Sequence, residues 1–133
     1  MKILVDTNIL ISAIVFGGRP REFLIKLRED GHFLFTSTYI REELRRIFSR
    51  KWRKRAEKLY CEYLRLGLHE LPSVGNAYGD LRDKNDVPIL SDAIAYDMDI
   101  ILTGDRDFLE ARLEHPKAMS VAALSDYLEN RSE

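Results

Sequence analysis

The chain has 133 residues, of which 45% are hydrophobic and 32% are charged, and its formal net charge is -1. This composition is typical of one globular domain over residues 1–133, and it excludes disordered, collagen-like and coiled-coil chains as well as a uniformly basic nucleic-acid coat. The single cysteine, Cys61, cannot form an internal disulfide, which favours a cytoplasmic protein, and no apolar run approaches the roughly 20 residues that span a membrane.

The first half of the chain alternates strand-like and helix-like segments. We predict strands over residues 2–5, 32–36 and 68–71, and helices over residues 9–16, 21–30, 38–50 and 52–66. Gly17 and Gly18 interrupt the first helix, and Pro20 suits the first turn of the next one. Ser37 is a suitable N-cap for the helix over 38–50, and Gly67 ends the helix that follows it.

The second half continues this alternation after a loose stretch. Residues 72–85 contain proline and glycine, and we predict an irregular connection within the domain. Beyond it we predict helices over 88–97, near Phe108 and over 122–130, and strands over 100–103 and 118–121. The apolar strand over 100–103 is typical of a buried parallel sheet. Strands that alternate with helices predict an α/β fold with a mostly parallel central sheet.

Acidic residues fall where the predicted elements meet. Asp6 directly follows the first strand, Asp105 follows the strand over 100–103, and Asp86 lies at the start of the helix that Pro88 opens. In an open α/β sheet, ligands bind beyond the carboxyl ends of the strands, and helices that begin there expose N–H groups that suit phosphate oxygens. We therefore expect these three carboxylates at one edge of the sheet.

A fourth acid comes from the helix over 38–50. The apolar face of this helix consists of Ile40, Leu44, Ile47 and Phe48. At about 100° per residue, Glu42 points away from that face and Glu43 lies beside it. Glu43 can therefore approach the sheet edge, whereas Glu42 is expected to meet water.

Each acid, taken alone, also has a purely structural interpretation. Asp6 and Asp86 fit helix N-caps, Asp105 fits a turn, and Glu43 fits an exposed helix charge. The functional interpretation rests on the whole set. Carboxylate oxygens gathered at one edge are the ligands that hard cations such as Mg²⁺ and Mn²⁺ prefer.

Four segments of the sequence resemble the motifs of PIN-domain nucleases. They are residues 3–10 with Asp6, Ser37 followed by Glu43-Leu44, residues 86–90 with Ala93 beyond them, and residues 103–108. The resemblance runs from residue 2 to about residue 125 and implies a PIN-like three-layer sandwich. The loop over residues 17–20 is also similar to the branch of the family that contains toxins of toxin–antitoxin systems.

The resemblance implies a metal-dependent endoribonuclease that uses one or two Mg²⁺ or Mn²⁺ ions. Its acidic ligands would be Asp6, Glu43, Asp86 and Asp105. Asn8 and Thr103 would orient these ligands, and Asp107 would be a further ligand or a helix cap, of which we favour the cap. Asp92 stands where the family usually has a small residue. Because it lies about 240° round the helix from Asp86, we expect it at the rim of the site.

The near-neutral total charge hides two regions of opposite sign. Residues 41–58 hold nine bases and three acids, whereas residues 80–110 hold nine acids and three bases. A basic helix pair beside an acidic metal centre can hold RNA, so the predicted RNA-binding residues are Arg50, Lys51, Arg53 and Lys54. Two alternatives remain open for this basic region, a solvated helix face and a surface that binds an antitoxin protein.

We therefore interpret the chain as an endoribonuclease toxin with RNA as substrate, an antitoxin as partner and a homodimeric state. One alternative is a phosphoryl-transfer α/β domain, although a phosphatase of that type would have a second aspartate where this chain has Asn8. A second alternative is a non-catalytic PIN-like scaffold that binds RNA or a partner. Tyr60 and Tyr63 are interpreted as core or dimer contacts.

Overall fold

The computed structural model describes residues 1–77, 81 and 83–132, apart from the side chain of Ser132. Of the stretch predicted as an irregular connection, Tyr78, Gly79, Asp80 and Arg82 lie outside the described residues. Five strands form the sheet: β1 Lys2–Val5, β2 Phe33–Ser37, β3 His69–Leu71, β4 Ile100–Leu102 and β5 Lys117–Met119.

Within the described residues, seven α-helices connect and follow these strands: α1 Thr7–Ile11, α2 Gly18–Glu29, α3 Thr38–Lys51, α4 Ala56–Arg65, α5 Val87–Ala95, α6 Arg106–Glu110 and α7 Val121–Ser132. The chain continues from α1 as a π-helix over Ser12–Phe16, and 3₁₀ turns over Arg53–Arg55 and Lys84–Asp86 precede α4 and α5. No helix within the described part of the chain combines the length and the apolar character that a membrane span requires.

The sheet has the strand order β3-β2-β1-β4-β5, and every neighbouring pair is parallel. In the middle of the sheet, Leu4 is aligned with Phe35 on one side and Ile101 on the other. All residues of β4 and the last three residues of β1 are buried, so both faces of the sheet are covered. The predicted α/β sandwich is confirmed, with a sheet that is wholly parallel across the five described strands.

The topology places a crevice at the carboxyl ends of β1 and β4. From β1 the chain builds outward through β2 and β3 on one side, then crosses to β4 and builds outward through β5 on the other. This reversal of direction is the switch point at which open α/β sheets bind their ligands. Asp6 follows β1, and Thr103 and Asp105 follow β4, so all three lie at this crevice.

Helix α3 shows how a local pattern places a functional side chain. Ser37 caps the helix, because its Oγ accepts a hydrogen bond from the Ile40 N–H at 3.2 Å. The apolar face packs into the core through Ile40, Leu44 and Phe48, all of which are buried. This packing fixes the rotation of α3 about its own axis.

Several predicted boundaries shift for identifiable reasons. Helix α2 begins at Gly18, not at Arg21, because Gly17 takes a positive φ of 67° and ends the preceding π-helix. The predicted helix over 52–66 is split, since Trp52 leaves the helical conformation before the 3₁₀ turn. The last strand ends at Met119, because Ser120 caps α7 by accepting a hydrogen bond from the Ala123 N–H at 3.1 Å.

Candidate metal centre

Asp6 is held rigidly between two strands. Its backbone N–H donates to the Leu102 carbonyl at 2.9 Å, which joins the end of β1 to the end of β4. Its side chain accepts hydrogen bonds from the Thr7 N–H and from Thr103 Oγ1, both at 2.7 Å. Asp6 is therefore the N-cap of α1, and its carboxylate is tied to Thr103 at the end of β4.

Burial makes the charge on Asp6 costly. Only 3% of the residue is exposed, and this burial is the largest cause that raises its pKa from 3.8 to about 6. The hydrogen bonds from Thr103 and Thr7 oppose the rise, whereas the negative charges of Glu43 and Asp105 add to it. The three acids therefore interact electrostatically across the crevice.

Glu43 reaches the same edge from α3. It is half-buried and accepts a hydrogen bond from Thr7 Oγ1, whereas Glu42 is exposed. The predicted difference between the two neighbouring glutamates is confirmed in their positions. Because Thr7 binds Glu43 through its hydroxyl and Asp6 through its N–H, this one residue links the first and second predicted acids.

Asp86 and Asp105 meet a third carboxylate, that of Asp83. One oxygen from each of these residues lies within 4.8 Å of the others, an arrangement able to hold a metal ion. Asp83 Oδ1 accepts from the Asn85 N–H at 2.9 Å and Asp105 Oδ1 accepts from the Asp107 N–H at 2.8 Å. Local capping bonds thus fix the orientation of two of the three acids.

One carboxylate oxygen of Asp86, Oδ2, is buried without a hydrogen bond from the described residues. Burial raises the pKa of Asp86 to about 8, and a hydrogen bond with Asp105 and the charges of Asp105, Asp6 and Asp83 add to the rise. A cation bound here would neutralise the same charges.

The structure adds Asp83 to the four acids expected from the sequence, and it separates the five acids into a compact group of three and two flanking residues. Asp86 and Asp105 belong to the compact group with Asp83, whereas Asp6 and Glu43 flank that group at the crevice. Asp83 precedes Asp86 by three residues, one turn of the 3₁₀ helix over Lys84–Asp86. The sequence signal for Asp83 was this spacing, which is informative only once the turn is known to be helical.

Two predictions about neighbouring acids are wrong. Asp107 does not cap α6, because Asp105 is the N-cap and Asp107 lies in the first turn. Asp92 is not at the rim, because it is fully buried. Its carboxylate accepts from Ser73 Oγ at 2.9 Å and from the Val74 N–H at 2.7 Å, which ties the segment after β3 to α5.

Tyr39 is a neighbour of the acids that sequence reasoning missed. Its hydroxyl donates to the Asn85 carbonyl at 2.8 Å, so the first turn of α3 holds the 3₁₀ turn that carries Asp86. Burial is the main cause that raises the pKa of Tyr39. The charges of Glu43 and Asp86 raise it further, and Arg46 opposes them. Tyr39 therefore lies beside the carboxylates.

The remaining predicted residues lie at the surface or in the core. Asn8 is exposed. The predicted RNA-binding residues are all exposed near the far end of α3: Arg50, Lys51, Arg53 and Lys54. Tyr63 is a core residue, with 4% of its surface exposed and its hydroxyl 3.0 Å from Thr36 Oγ1. Tyr60 is half-buried against the ring of Tyr63.

The chemistry of the donor set fits a hard divalent cation. Every candidate ligand is a carboxylate, and Mg²⁺ and Mn²⁺ prefer oxygen ligands. A cation among these residues would also neutralise the carboxylates and interact with the buried Oδ2 of Asp86, which has no hydrogen-bond partner among the described residues. The residues present therefore fit a metal ion.

Comparison with protein families supplies an independent assignment. A family model described as PIN domain matches residues 2–107. The chain belongs to the PIN-domain family. This assignment agrees with the resemblance of the four motifs and leaves the phosphoryl-transfer alternative without support. A comparison with curated proteins gives no match.

Comparison with solved structures supports the same fold. A chain in the crystal structure of VapBC2 from Rickettsia felis, bound to a DNA fragment from their promoter, matches with a TM-score of 0.73 and 20% sequence identity. The match covers 90% of this chain and 98% of that chain. The predicted PIN-like architecture is therefore confirmed over almost the whole molecule.

Proposed function

We propose that this PIN-domain protein is a divalent-metal-dependent endoribonuclease that hydrolyses phosphodiester bonds in RNA. One observation carries the proposal: at the switch point of the sheet the carboxylates of Asp83, Asp86 and Asp105 lie within 4.8 Å of one another, and the buried Oδ2 of Asp86 has no hydrogen-bond partner among the described residues. Asp6 and Glu43 interact electrostatically with this group. A purely structural cluster of this kind would leave its repulsion uncompensated. A bound cation relieves that repulsion and gives the cluster a function.

The proposed site assigns a role to each group of residues. Asp86 and Asp105, together with Asp83, would hold Mg²⁺ or Mn²⁺, and Asp6 and Glu43 would complete the ligand set from the other side of the crevice. The ion would supply Lewis-acid polarisation of the scissile phosphate and a lower pKa for the attacking water. Asn8, which is exposed and follows Asp6 by two residues, would help to orient these ligands.

Thr7 and Thr103 would keep two ligands in position without contacting the phosphate. The Thr103 hydroxyl fixes Asp6 Oδ2, and the Thr7 hydroxyl fixes Glu43. Carboxylates held in this way need little rearrangement when the substrate arrives, which is how neighbouring residues sharpen a metal site. The N–H groups at the start of α1 and α6 lie at the same edge and favour a negatively charged ligand.

We extend the proposal to the biological role. The architecture is shared with a chain of the VapBC2 structure, so we propose that the protein is the toxin of a toxin–antitoxin pair, with an antitoxin protein as partner. A homodimeric state and a cytoplasmic location are part of the same proposal. Co-expression with the product of the neighbouring gene, followed by size-exclusion chromatography, tests both the partner and the oligomeric state.

The central experiment compares cleavage with and without metal. We expect protein stripped with chelator to leave a single-stranded RNA intact, and added Mn²⁺ or Mg²⁺ to restore cleavage. The Asp86→Asn variant should remain inactive at every Mn²⁺ concentration. RNA binding without cleavage, under conditions in which Mn²⁺ demonstrably binds, would instead support the non-catalytic scaffold.

A further inference from the structure

An aromatic pair is displayed on the surface at the end of the first helical segment. Phe16 is 75% exposed, and its ring packs edge-on against Trp52 with the centroids 6.3 Å apart. Trp52 in turn packs against Phe48, which is buried in the core, at 6.4 Å. Phe16 is therefore a large apolar side chain presented to solvent on a rigid support.

The backbone that presents Phe16 is itself unusual. Residues Ser12–Phe16 form a π-helix that ends at Gly17, whose φ is 67°. Short π-helical segments are rare and occur frequently at functional sites. The local geometry thus aims Phe16 outward, although apolar side chains of this size are normally buried.

The surroundings of the pair are strongly basic. Residues 45–55 contain seven lysines or arginines and no acid. Within the described part of the chain, no salt bridge involves any of these seven bases. An exposed aromatic ring among uncompensated positive charges matches the bases and phosphates of a single-stranded nucleic acid, because each base has a face that stacks and each nucleotide carries one negative charge.

The position of the pair connects it to the proposed active site. Residues 7–16 and 43–52 run side by side in the same direction, with Thr7 touching Glu43 at one end and Phe16 touching Trp52 at the other. Nine residues of helix separate the two contacts, or roughly 13 Å along the axis. A strand of RNA whose scissile phosphate lies at the carboxylates can therefore reach the aromatic pair within a few nucleotides.

Arg46 and Arg50 lie along this route. They follow Glu43 by one and two helical turns on the same side of α3, and both are exposed. They are placed to contact the phosphates between the carboxylates and the aromatic pair. The carboxylates, the two arginines and the aromatic pair therefore follow one another along the axis of α3, with the pair just beyond its last residue.

We propose that Phe16, supported by Trp52, is a stacking platform for an unpaired base of the RNA substrate, a few nucleotides away from the cleaved bond. The proposal rests on the proposed ribonuclease function. It makes the substrate a single strand long enough to reach from the carboxylates to Phe16, and it assigns the aromatic pair to affinity, not to chemistry.

The experiment measures binding and cleavage separately, with two RNA lengths. Binding of an oligonucleotide of about twelve nucleotides is measured by fluorescence anisotropy in an Asp6→Asn background, where cleavage is blocked. We expect Phe16→Ala to weaken this binding roughly tenfold and Phe16→Tyr to retain it, since the loss of one base stack has about that effect. Cleavage of a dinucleotide, which is too short to span the distance from the carboxylates to the platform, should be the same in the wild type and in Phe16→Ala.

Phe33→Ala is the matched control. Phe33 is also an exposed phenylalanine, with 57% of its surface accessible, but it lies at the start of β2 outside the basic segment. We expect this variant to bind the longer RNA as tightly as the Asp6→Asn protein does. A second control removes single bases in turn from the longer RNA. Removal of the base that stacks on Phe16 should weaken RNA binding by the Asp6→Asn protein. The same removal should have little further effect on binding by the variant that also carries Phe16→Ala.

Several outcomes would overturn the platform. Unchanged binding of the longer RNA by Phe16→Ala, or an equal loss in cleavage of the dinucleotide, would remove the stacking role. If Phe16→Ala changed only the oligomeric state or the binding of an antitoxin, the pair would be a protein interface. Absence of cleavage in the wild type would instead refute the ribonuclease proposal, and the anisotropy measurement would still report on the platform.

Discussion

The two halves of α3 carry charges of opposite sign in opposite environments. Near its start, Glu43 is half-buried and hydrogen-bonded at the edge of an acidic crevice. Near its end, Arg50 and Lys51 are exposed in a basic segment. The comparison shows that the effect of a charged side chain depends on whether it is buried or exposed. The charge of Glu43 acts at close range and raises the pKa of the buried Asp6, whereas an exposed base acts through a field that water and salt weaken.

The largest expected effect comes from removing a charge at the acidic end. Asp86→Asn should lower cleavage by roughly 10³-fold or more, because a metal ligand supports the transition state directly. The metal-free variant should be at least as stable as the wild type at pH 7.5, since the substitution removes repulsion among Asp86, Asp105 and Asp6. Single-turnover cleavage and urea unfolding measure the two quantities. Loss of activity together with loss of the native fold would contradict this interpretation.

A smaller effect should separate two adjacent residues of α3. Glu43→Gln is expected to lower cleavage roughly 100-fold, because it weakens the proposed ligand set while keeping the hydrogen bond from Thr7. Glu42→Gln is the matched control, since it changes the same chemical group one position away on the exposed face. Equal activity of the two variants in a Mn²⁺ titration of cleavage would exclude Glu43 from the site.

These glutamates illustrate how much the sequence predicts. The period of the apolar residues fixes the rotation of α3, and the Ser37 cap fixes its start, so the different positions of Glu42 and Glu43 follow from local rules. Strand β1 was likewise predicted at its observed bounds, because its apolar run is continuous and Asp6 ends it. Local patterns suffice where one helix or strand decides the position.

The parts that sequence reasoning missed depend on contacts between distant segments. Asp83 joins the cluster through the 3₁₀ turn before α5, which the Tyr39 hydroxyl holds through the Asn85 carbonyl, 46 positions away in the chain. Asp92 is buried because Ser73 and Val74 satisfy it from another segment. Nothing in the sequence around either acid indicates its distant partner. Similarly, no local signal distinguishes the π-helix before Phe16 from an ordinary helix.

Metal binding at the carboxylates should reverse the pH dependence that Asp86 gives to the free energy of unfolding. The pKa of Asp86 is raised from 3.8 to about 8 in the folded state, so without metal the native protein holds a proton that the unfolded chain has released. The contribution of Asp86 to the free energy of unfolding is therefore greatest below about pH 4, and it declines as the pH rises toward 8. Since Mn²⁺ binds deprotonated carboxylates, its stabilising effect should increase over the same range.

The expected size of the metal effect follows from binding linkage. At 100 times its dissociation constant, a ligand that binds only the native state adds about 2.7 kcal/mol, which for a domain of this size raises the Tm by roughly 8–15 °C. Scanning calorimetry of chelator-stripped protein at pH 5.5 and pH 8, with and without Mn²⁺, measures both trends. A Tm that ignores saturating Mn²⁺ at pH 8 would argue against a metal centre at these acids.

Asp92 is a second buried acid, and its carboxylate accepts hydrogen bonds from Ser73 and Val74. Asp92→Ala should lower the free energy of unfolding by about 1–3 kcal/mol, since it leaves the Ser73 hydroxyl and the Val74 N–H without their acceptor. Asp92→Asn keeps one carbonyl oxygen and should cost less. Urea unfolding measures the loss, and the Mn²⁺ affinity of the folded variant should be unchanged. A large drop in Mn²⁺ affinity would place Asp92 among the groups that hold the ion.

The smallest expected effect is a change in RNA binding when exposed bases near the end of α3 are reversed, and it is measured through the salt dependence of binding. Reversing Arg50 and Lys54 together to glutamate should weaken RNA binding at low salt and flatten the dependence of log K on log salt, by about 0.7 for each lost phosphate contact. The matched control reverses Lys26 and Arg112, two exposed bases outside residues 45–55, and changes the net charge by the same amount. If both double variants shift binding equally, the protein's overall charge is responsible and no phosphate track exists. If only the Arg50 and Lys54 variant changes the slope, RNA follows α3 away from the carboxylates, since only local contacts release counterions at that surface. An unchanged slope in both would assign residues 45–55 to a protein partner or to solvent, because RNA phosphates would then have no measurable contact with the segment.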